Sequence, residues 1–315
     1  MKFFSFILLA TALMVNADGL WLTTLQAMPA NPGPQTKSIQ SESDHFVHLL
    51  DGGKLYYEEY GQGTPVILVH GHTLDHRMWR TQIAPLAKHF RVITPDMRGY
   101  GRSSRQSDTL QFIHADDLIE FMDSLHISKA HLVGLSMGGF ITADILCMYP
   151  ERLLSAVMAS GWLRNHPGPS VPLDSAEIGK QQAAIDAVLA EGIQHWKDNW
   201  IDRLIKGGGT RAESIRSELS AQVNDWDCYQ LLHIEGRHYY ATEAMPSLEQ
   251  KRPGIPVLFL SGEKEHKRPP VMMKHLPNAQ FKTLNDCGHM SNMEQPEAFN
   301  QILTEFLHAA EVPGQ

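Results

Sequence analysis

A serine with the surroundings of a catalytic nucleophile lies in residues 133–139, which form the sequence VGLSMGG. Ser136 stands between Gly134 and Gly138 in the pattern G-x-S-x-G, with an apolar run before it and a helical pattern after it. In a tight strand-to-helix turn the two glycines leave out side chains that would collide, and the serine hydroxyl is held above the strand end. The N-terminus of the following helix favours negative charge there. The pattern therefore predicts a nucleophile, Ser136, on an elbow formed with Gly134 and Gly138.

A serine hydroxyl is a weak nucleophile unless a base takes its proton and a carboxylate orients that base. His289 is the candidate base because it follows the last predicted strand and precedes the last predicted helix, which places it at the same sheet edge as Ser136. Glu265 is the predicted orienting acid because it lies just beyond the strand 257–260, between serine and histidine in the chain. Glu263, two residues earlier, is the alternative acid.

Two backbone N–H groups should hold the negative oxygen that forms when a serine attacks a carbonyl. Met137 N–H directly follows the nucleophile, and His72 N–H lies in the loop after the strand 66–69. His70 and His72 are spaced like metal ligands, but the sequence offers no third ligand at a useful spacing and no H-E-x-x-H pattern. We therefore expect neither a metal nor a cofactor.

The elements that must position these residues alternate between apolar runs and amphipathic segments, which predict strands and helices respectively. Such an alternation is typical of an α/β protein with a mainly parallel sheet and helices on both faces, which binds ligands at the carboxyl ends of its strands. The predicted strands are 46–50, 55–60, 66–69, 91–94, 130–135, 153–159, 256–260 and 279–284, and the predicted helices are 76–88, 112–125, 138–149, 269–276 and 296–309.

Residues from about 161 to 250 interrupt the alternation with helical patterns at 176–190 and 193–205 and a break at 207–209. An insertion of this size between two strands predicts a helical cap over the carboxyl edge of the sheet. Its aromatic and imidazole side chains are candidates for lining a substrate pocket, although packing between the cap helices is the simpler interpretation of any one of them. They are Trp162, Trp196, Trp200, Trp226, His233, His238, Tyr239 and Tyr240.

Two methionines and a cysteine flank the predicted base. Met290 and Met293 are further candidates for substrate binding, because they lie beside His289. Cys287 is expected to be a small buried side chain, since no tight turn presents its thiol. With Cys147 and Cys228 it makes three scattered cysteines, too few for a disulfide framework or a zinc site.

Composition and charge narrow the class of partner. The chain has 315 residues, of which 43% are apolar and 20% charged, as in an ordinary soluble globular protein. Its 27 Lys and Arg against 35 Asp and Glu give a net charge of −8. An acidic protein is a poor partner for nucleic acids or anionic membranes. The expected partner is a small, uncharged acyl substrate, and the sequence leaves the oligomeric state open.

The N-terminal residues have the pattern of an export signal. A lysine at position 2 precedes the apolar run 3–15, and the small residues Val15 and Ala17 fit a signal-peptidase site. We expect 1–17 to be a signal peptide, 18–45 a flexible leader and 46–310 the folded domain, in an exported protein that is periplasmic or secreted and not stably inserted in the membrane after cleavage. Cleavage after Ala27 and an uncleaved membrane anchor are the alternatives, although thirteen apolar residues are short for a span of about 20.

Taken together, these motifs resemble those of the α/β-hydrolase superfamily over roughly 46–310. His70-Gly71 with Trp79 resembles its oxyanion loop, the sequence DMRGYGRS at 96–103 resembles its D-x-R-G-x-G-x-S loop, and Gly288-His289 followed by Glu294 and Pro296 resembles its histidine loop. The resemblance implies an eight-stranded, mainly parallel sheet with a helical cap. Asp96 and Arg98 then hold their loop and take no part in the chemistry.

Within the superfamily the chain is similar to the esterases, enol-lactonases, C–C bond hydrolases and cofactor-free haloperoxidases. That subgroup usually has aspartate at the position of Glu265, so the acid departs from the pattern. A serine at the elbow sets the chain apart from haloalkane dehalogenases and epoxide hydrolases, which carry aspartate there. The resemblance implies a serine hydrolase acting on a carboxylic ester or similar acyl substrate. Hydrolysis of an enol-lactone or a C–C bond, perhydrolysis, and a ligand receptor on a hydrolase fold remain alternatives.

Overall fold

The central sheet sets the positions of all the candidate residues. The computed structural model describes residues 45–105, 112–161, 175–233, 254–265 and 275–311. Eight strands form one sheet in the order β1-β2-β4-β3-β5-β6-β7-β8, in which β1 and β2 pair antiparallel and every pair from β4 to β8 is parallel. The strands are β1 Phe46–His48, β2 Lys54–Tyr60, β3 Pro65–Val69, β4 Arg91–Pro95, β5 Ala130–Leu135, β6 Leu153–Ala159, β7 Val257–Gly262 and β8 Gln280–Leu284.

Helices cover both faces of the sheet, as the strand pattern predicts. The central strands β3 and β5 are apolar and almost wholly buried, because hydrophobic clusters pack on each side of them. The α-helices within the described ranges are α1 Arg80–Leu86, α2 His114–Ser124, α3 Met137–Met148, α4 Ser175–Glu191, α5 Ile193–Lys206, α6 Arg216–Asp225, α7 Tyr229–Leu232, α8 Ser291–Glu294 and α9 Pro296–Glu311. The fold class and the eight-stranded, mainly parallel sheet predicted from the sequence are confirmed.

One predicted helix differs from the structure at its start. The helix expected at 76–88 begins as a 3-10 turn, His76–Trp79, and α1 ends at Leu86. The Asp75 carboxylate accepts the Arg77 N–H and so caps a tight first turn before the α-helix starts. Most of the helix expected at 269–276 lies outside the described residues.

In the described part of the chain between β6 and β7 there are four α-helices, α4 to α7. They contact the loops at the carboxyl ends of the strands: the Trp200 indole donates to Thr73 after β3, and the Gln230 amide donates to the Gly99 carbonyl after β4. The boundaries of the predicted cap remain a prediction, because residues at both of its ends lie outside the described ranges. Among the described residues, no helix is both long and apolar enough to cross a membrane.

Candidate active site

Ser136 lies at a sharp turn between β5 and α3. Its backbone has φ 55° and ψ −110°, a conformation that a non-glycine residue adopts only at an energetic cost. A β-carbon on Gly134 would lie 2.0 Å from the Gly138 carbonyl oxygen, and one on Gly138 would lie 2.1 Å from the Val69 oxygen. The glycines are therefore required by the close approach of the turn to itself and to the end of β3. This geometry presents Ser136 at the carboxyl edge of the sheet and at the first turn of α3.

His289 and Glu265 meet at the same edge. His289 Nδ1 lies 2.6 Å from Glu265 Oε1, a distance typical of a charge-assisted hydrogen bond. Burial would raise the pKa of Glu265, but its hydrogen bonds, first of all the one with His289, hold the pKa below its usual value. An ionised Glu265 can only accept, so Nδ1 carries the proton and Nε2 is the imidazole nitrogen left to act as a base.

The alternative acid, Glu263, points elsewhere. Its carboxylate accepts the Asp286 N–H at 3.0 Å, and the side chain is exposed. Of the two carboxylates considered from the sequence, the structure therefore brings Glu265 to the imidazole and leaves Glu263 on the surface.

The loop after β3 and the start of α3 lie side by side. A β-carbon on Gly71 would be 3.6 Å from Ser136 Cβ, so the backbone that carries His72 N–H passes close to the serine. His70 fixes this loop: its Nδ1 contacts the Gly71 oxygen at 2.9 Å, and its Nε2 accepts the Met97 N–H at 2.9 Å. Burial lowers the pKa of His70, which keeps the imidazole neutral, as this pair of contacts requires. The predicted donors, His72 and Met137 N–H, thus belong to two backbone segments that converge on Ser136.

The His72 side chain lies in an aromatic surrounding that the cap helices help to build. Its Nδ1 is 2.7 Å from the Tyr100 hydroxyl, and its ring makes edge contacts with Trp200 and Trp226 at centroid distances of 6.2 and 5.0 Å. Trp196 stacks on Trp200 at 5.6 Å. Burial, with a smaller contribution from His70, lowers the pKa of His72 to about 4. Next to the predicted oxyanion site there is therefore a neutral, largely apolar wall.

The other candidate pocket residues divide into three groups. Met290 and Met293 are buried in the hydrophobic cluster with α9. His233 stacks on Tyr229 at the exposed end of α7. Trp162, His238, Tyr239 and Tyr240 lie outside the described residues.

Ser160 escaped the sequence reasoning, and Glu294, which the sequence offered only as part of the histidine-loop resemblance, makes contacts that the sequence did not predict. Ser160, directly after β6, places its hydroxyl 2.7 Å from Glu265 Oε2 and 3.0 Å from the His289 oxygen. Glu294 is buried and accepts the N–H groups of Gly209 and Gly288 at 2.7 and 3.1 Å, which joins the cap to the histidine loop. Ser160 had one signal in the sequence, because it follows a buried strand at the same edge as Ser136.

A group that could hold a cation lies where the start of the 3-10 turn at His76 meets the loop after β4. Ligand atoms of Asp75, His76 and Asp96 are all within 4.8 Å of one another. Each already has a partner: Arg77 binds Asp75 through two nitrogens, and His76 Nδ1 is 2.8 Å from Asp96. The group borders a cavity of about 360 Å³ that has neither Ser136 nor His289 in its described lining. The contacts of Asp75 with Arg77 and of His76 with Asp96 hold together the start of the 3-10 turn and the loop after β4.

The thiols take no part in the site geometry. Cys147, Cys228 and Cys287 are each buried as thiols, and burial is the first cause that raises the pKa of Cys287 to about 12. A thiol in such surroundings is a poor nucleophile, because it is the thiolate that reacts.

A serine on a strand-turn-helix elbow, close to a histidine paired with a carboxylate, is the arrangement expected of serine hydrolases. The comparisons with known proteins agree with this class. A family model described as the alpha/beta hydrolase fold matches residues 64–296. Over 240 residues the chain is 30% identical to 3-oxoadipate enol-lactonase 1 of Acinetobacter baylyi, a match that covers 74% of this chain and 84% of that protein. The chain therefore belongs to the α/β-hydrolase family.

Solved structures support the same assignment. A thermophilic esterase from Thermogutta terrifontis superposes with a TM-score of 0.68 at 26% identity, covering 84% of this chain and 97% of that one. The enol-lactonase from Burkholderia xenovorans superposes with a TM-score of 0.63 at 22% identity, covering 82% and 98%. At that identity the second likeness shows the shared fold.

Proposed function

We propose that this protein is a serine hydrolase that cleaves a carboxylic ester or a similar small acyl substrate, with Ser136, His289 and Glu265 as its catalytic triad. The observation that carries the proposal is the 2.6 Å contact between His289 Nδ1 and Glu265 Oε1 at the sheet edge where Ser136 is held on its strained turn. The family membership of the chain and the esterase among its structural relatives support the same reaction class.

The reaction follows from these positions. Ser136 Oγ attacks the acyl carbonyl carbon while His289 Nε2 takes its proton, and Glu265 stabilises the imidazolium that forms. The N–H groups of His72 and Met137 hold the oxyanion, each worth on the order of 3 kcal/mol in the transition state. His289 then protonates the leaving alcohol, and water, activated in the same way, hydrolyses the acyl-enzyme.

The wall beside the oxyanion site favours a substrate with an apolar or aromatic part. Trp200 and Trp226 meet the neutral His72 ring there, so this side of the site offers contact area and no net charge. The acidic overall balance of the chain agrees with an uncharged substrate.

Enol-lactone hydrolysis is the second candidate. It is favoured by one observation, the 30% identity to an enol-lactonase over most of both chains. A lactone is an internal ester, so the same triad and oxyanion donors would open it. C–C bond hydrolysis and perhydrolysis would also use this triad and differ in leaving group and pocket shape.

Fluorophosphonate labelling tests the reaction class. We expect one label per chain in the full protein and no label in Ser136→Ala, whose melting temperature should remain close to that of the wild type. A protein that is folded but unlabelled would contradict the hydrolase proposal and favour a ligand receptor on the same fold. A panel of p-nitrophenyl esters, lactones and vinylogous diketones then separates the candidate substrates by kcat/KM.

We also propose that the protein is exported, on the basis of the apolar run 3–15 and the small residues before position 18. N-terminal sequencing of the protein recovered outside the cytoplasm should give Asp18 as the first residue. A chain that retains its N-terminal methionine in the cytoplasm would contradict the proposal.

A further inference from the structure

Ser160 connects the two residues that support the proposed nucleophile. Its hydroxyl lies 2.7 Å from Glu265 Oε2 and 3.0 Å from the His289 carbonyl oxygen, and the residue is 5% exposed. Glu265 uses its other oxygen, Oε1, for the imidazole. Oε2 also faces the Gly262 N–H, but at 3.3 Å, beyond the usual range for such bonds.

The backbone of Ser160 is held in a conformation that suits glycine better than serine. Its φ is 49°, in the left-handed region. The Ser160 N–H donates to the Leu260 oxygen at 2.8 Å, and the following Gly161 packs against Gly139 and the Ser136 carbonyl. A glycine would adopt this conformation without strain, so the serine side chain has a cost that its hydroxyl must offset.

A glutamate in the proposed triad gives a reason for a second hydrogen bond to its carboxylate, in addition to the one with His289. Glutamate has one more rotatable bond than aspartate, so a single hydrogen bond to the imidazole leaves its carboxylate less well oriented. A donor on Oε2 fixes both oxygens, and a hydrogen bond to the charged form helps keep the carboxylate ionised.

We propose that Ser160 is a positioning residue that acts through Glu265. Its hydroxyl orients the carboxylate and thereby holds His289 for proton transfer from Ser136. The inference rests on the proposed function and adds to it a fourth residue that touches no reacting atom.

The variant that tests this is Ser160→Gly, which removes the hydroxyl and relieves the backbone at the same time. A hydrogen bond to a charged group is worth about a 10- to 100-fold change in rate, so kcat for a p-nitrophenyl ester should fall by about that factor with KM changed less than about twofold. The melting temperature should stay the same or rise. Expressing kcat per Ser136 labelled by fluorophosphonate leaves unfolded molecules out of the count.

A double-mutant cycle separates positioning from a structural role. In the Glu265→Ala background, Ser160→Gly should change kcat by less than about threefold, because the carboxylate that the Ser160 hydroxyl orients is already absent. His126→Gly is the matched control: His126 is exposed, has φ 55°, and lies before β5, at the opposite edge of the sheet. It should keep wild-type kcat.

Two results would overturn the inference and leave the hydrolase proposal intact. One is a wild-type kcat in labelled Ser160→Gly, and the other is an equal relative decrease in kcat when Ser160→Gly is made in the wild type and in the Glu265 variant. A wild-type protein that fluorophosphonate does not label would instead remove the proposed function, and the inference with it.

Discussion

At the scale of single residues, the proposed triad depends on which of two glutamates faces His289. The Glu265 N–H donates to the Gly262 oxygen at 3.2 Å and closes a turn directly after β7. This turn sends Glu265 back toward His289 and leaves Glu263 facing the Asp286 backbone. The sequence places both carboxylates within three residues of each other, so it cannot show which one the turn directs inward.

Replacing Glu265 by glutamine tests this assignment. The amide keeps the shape of the carboxylate but neither stabilises the imidazolium nor fixes the tautomer, so we expect kcat for a p-nitrophenyl ester to fall by roughly 10³- to 10⁴-fold. Glu263→Gln is the matched control, since its amide oxygen can still accept the Asp286 N–H, and its kcat should stay within about twofold of the wild type. An equal loss in both variants would refute the assignment.

Sequence reasoning found the residues that carry a motif and missed those defined by three-dimensional contacts. Ser136 and His289 stand in patterns whose spacing is fixed by a tight turn and a sheet edge. Ser160 reaches the site from the end of β6, and no local spacing links it to Glu265 or His289. Glu294 belongs to the histidine-loop pattern, but that pattern does not show that its carboxylate binds the Gly209 N–H.

At the scale of elements, the cap meets the histidine loop at residues with no room for a side chain. A β-carbon on Gly209 would lie 1.7 Å from the Asp286 carbonyl oxygen, and one on Gly288 would lie 2.2 Å from the Gly207 oxygen. Thr210 N–H also donates to the Asp286 carboxylate at 3.0 Å. The sequence predicted only a break at 207–209, because a run of glycines shows that a helix ends but not what approaches it.

Gly209→Ala should therefore disturb both stability and activity. The added methyl group must push the cap away from the loop that carries His289, and overpacking of this kind costs about 1–3 kcal/mol. We expect urea denaturation to show a loss of that size in the free energy of unfolding, together with a lower kcat.

Gly179→Ala is the control for this change. Gly179 lies within α4, and a β-carbon added there would have no atom within 4 Å, so alanine should stabilise the helix by about 0.5–1 kcal/mol and leave kcat unchanged. Equal effects of the two alanines would show that cap contact at Gly209 does not matter.

The strands and most helices were predictable to within a few residues because long apolar runs and amphipathic periods dominate them. β5 and β6 begin and end where the sequence predicts, and α5 differs at its end by one residue. The start of α1 differs because the Asp75 carboxylate accepts the Arg77 N–H and the first turn becomes a 3-10 turn. A hydrogen bond from a side chain to the nearby backbone does not show in the hydrophobic period of the sequence.

At the scale of the whole molecule, buried neutral histidines link stability to pH. His131, in the central strand β5, is 1% exposed and contacts the Ser155 hydroxyl through Nδ1 at 2.8 Å. Burial lowers its pKa to about 4, and that of His72 likewise to about 4. The pKa of His76 shifts in the opposite direction. Burial alone would lower it, but Asp96 raises it above the usual value. The stabilisation of the fold by His76 is therefore present at low pH and is lost as the pH rises through that pKa.

His131 should therefore destabilise the fold as the solution becomes acidic. Its pKa in the folded state lies below the value of about 6.5 in an unfolded chain, so the unfolded state binds the proton first. The stabilising contribution is complete above about pH 6.5 and is lost as the pH falls toward about 4. For this one group the loss should reach about 2 kcal/mol at about pH 5.

His131→Asn removes the titration while keeping a polar group near Ser155. Between about pH 7.5 and about pH 5 the free energy of unfolding of this variant, measured in urea, should fall by about 2 kcal/mol less than that of the wild type. Ser155→Ala is the matched control, because it removes the hydrogen bond and keeps the imidazole, so it should lower stability at every pH and retain the wild-type slope. If the free energies of unfolding of His131→Asn and the wild type changed in parallel with pH, His131 would have to bind its proton equally well in the folded and unfolded states. That result would contradict the prediction, because His131 is buried within the sheet.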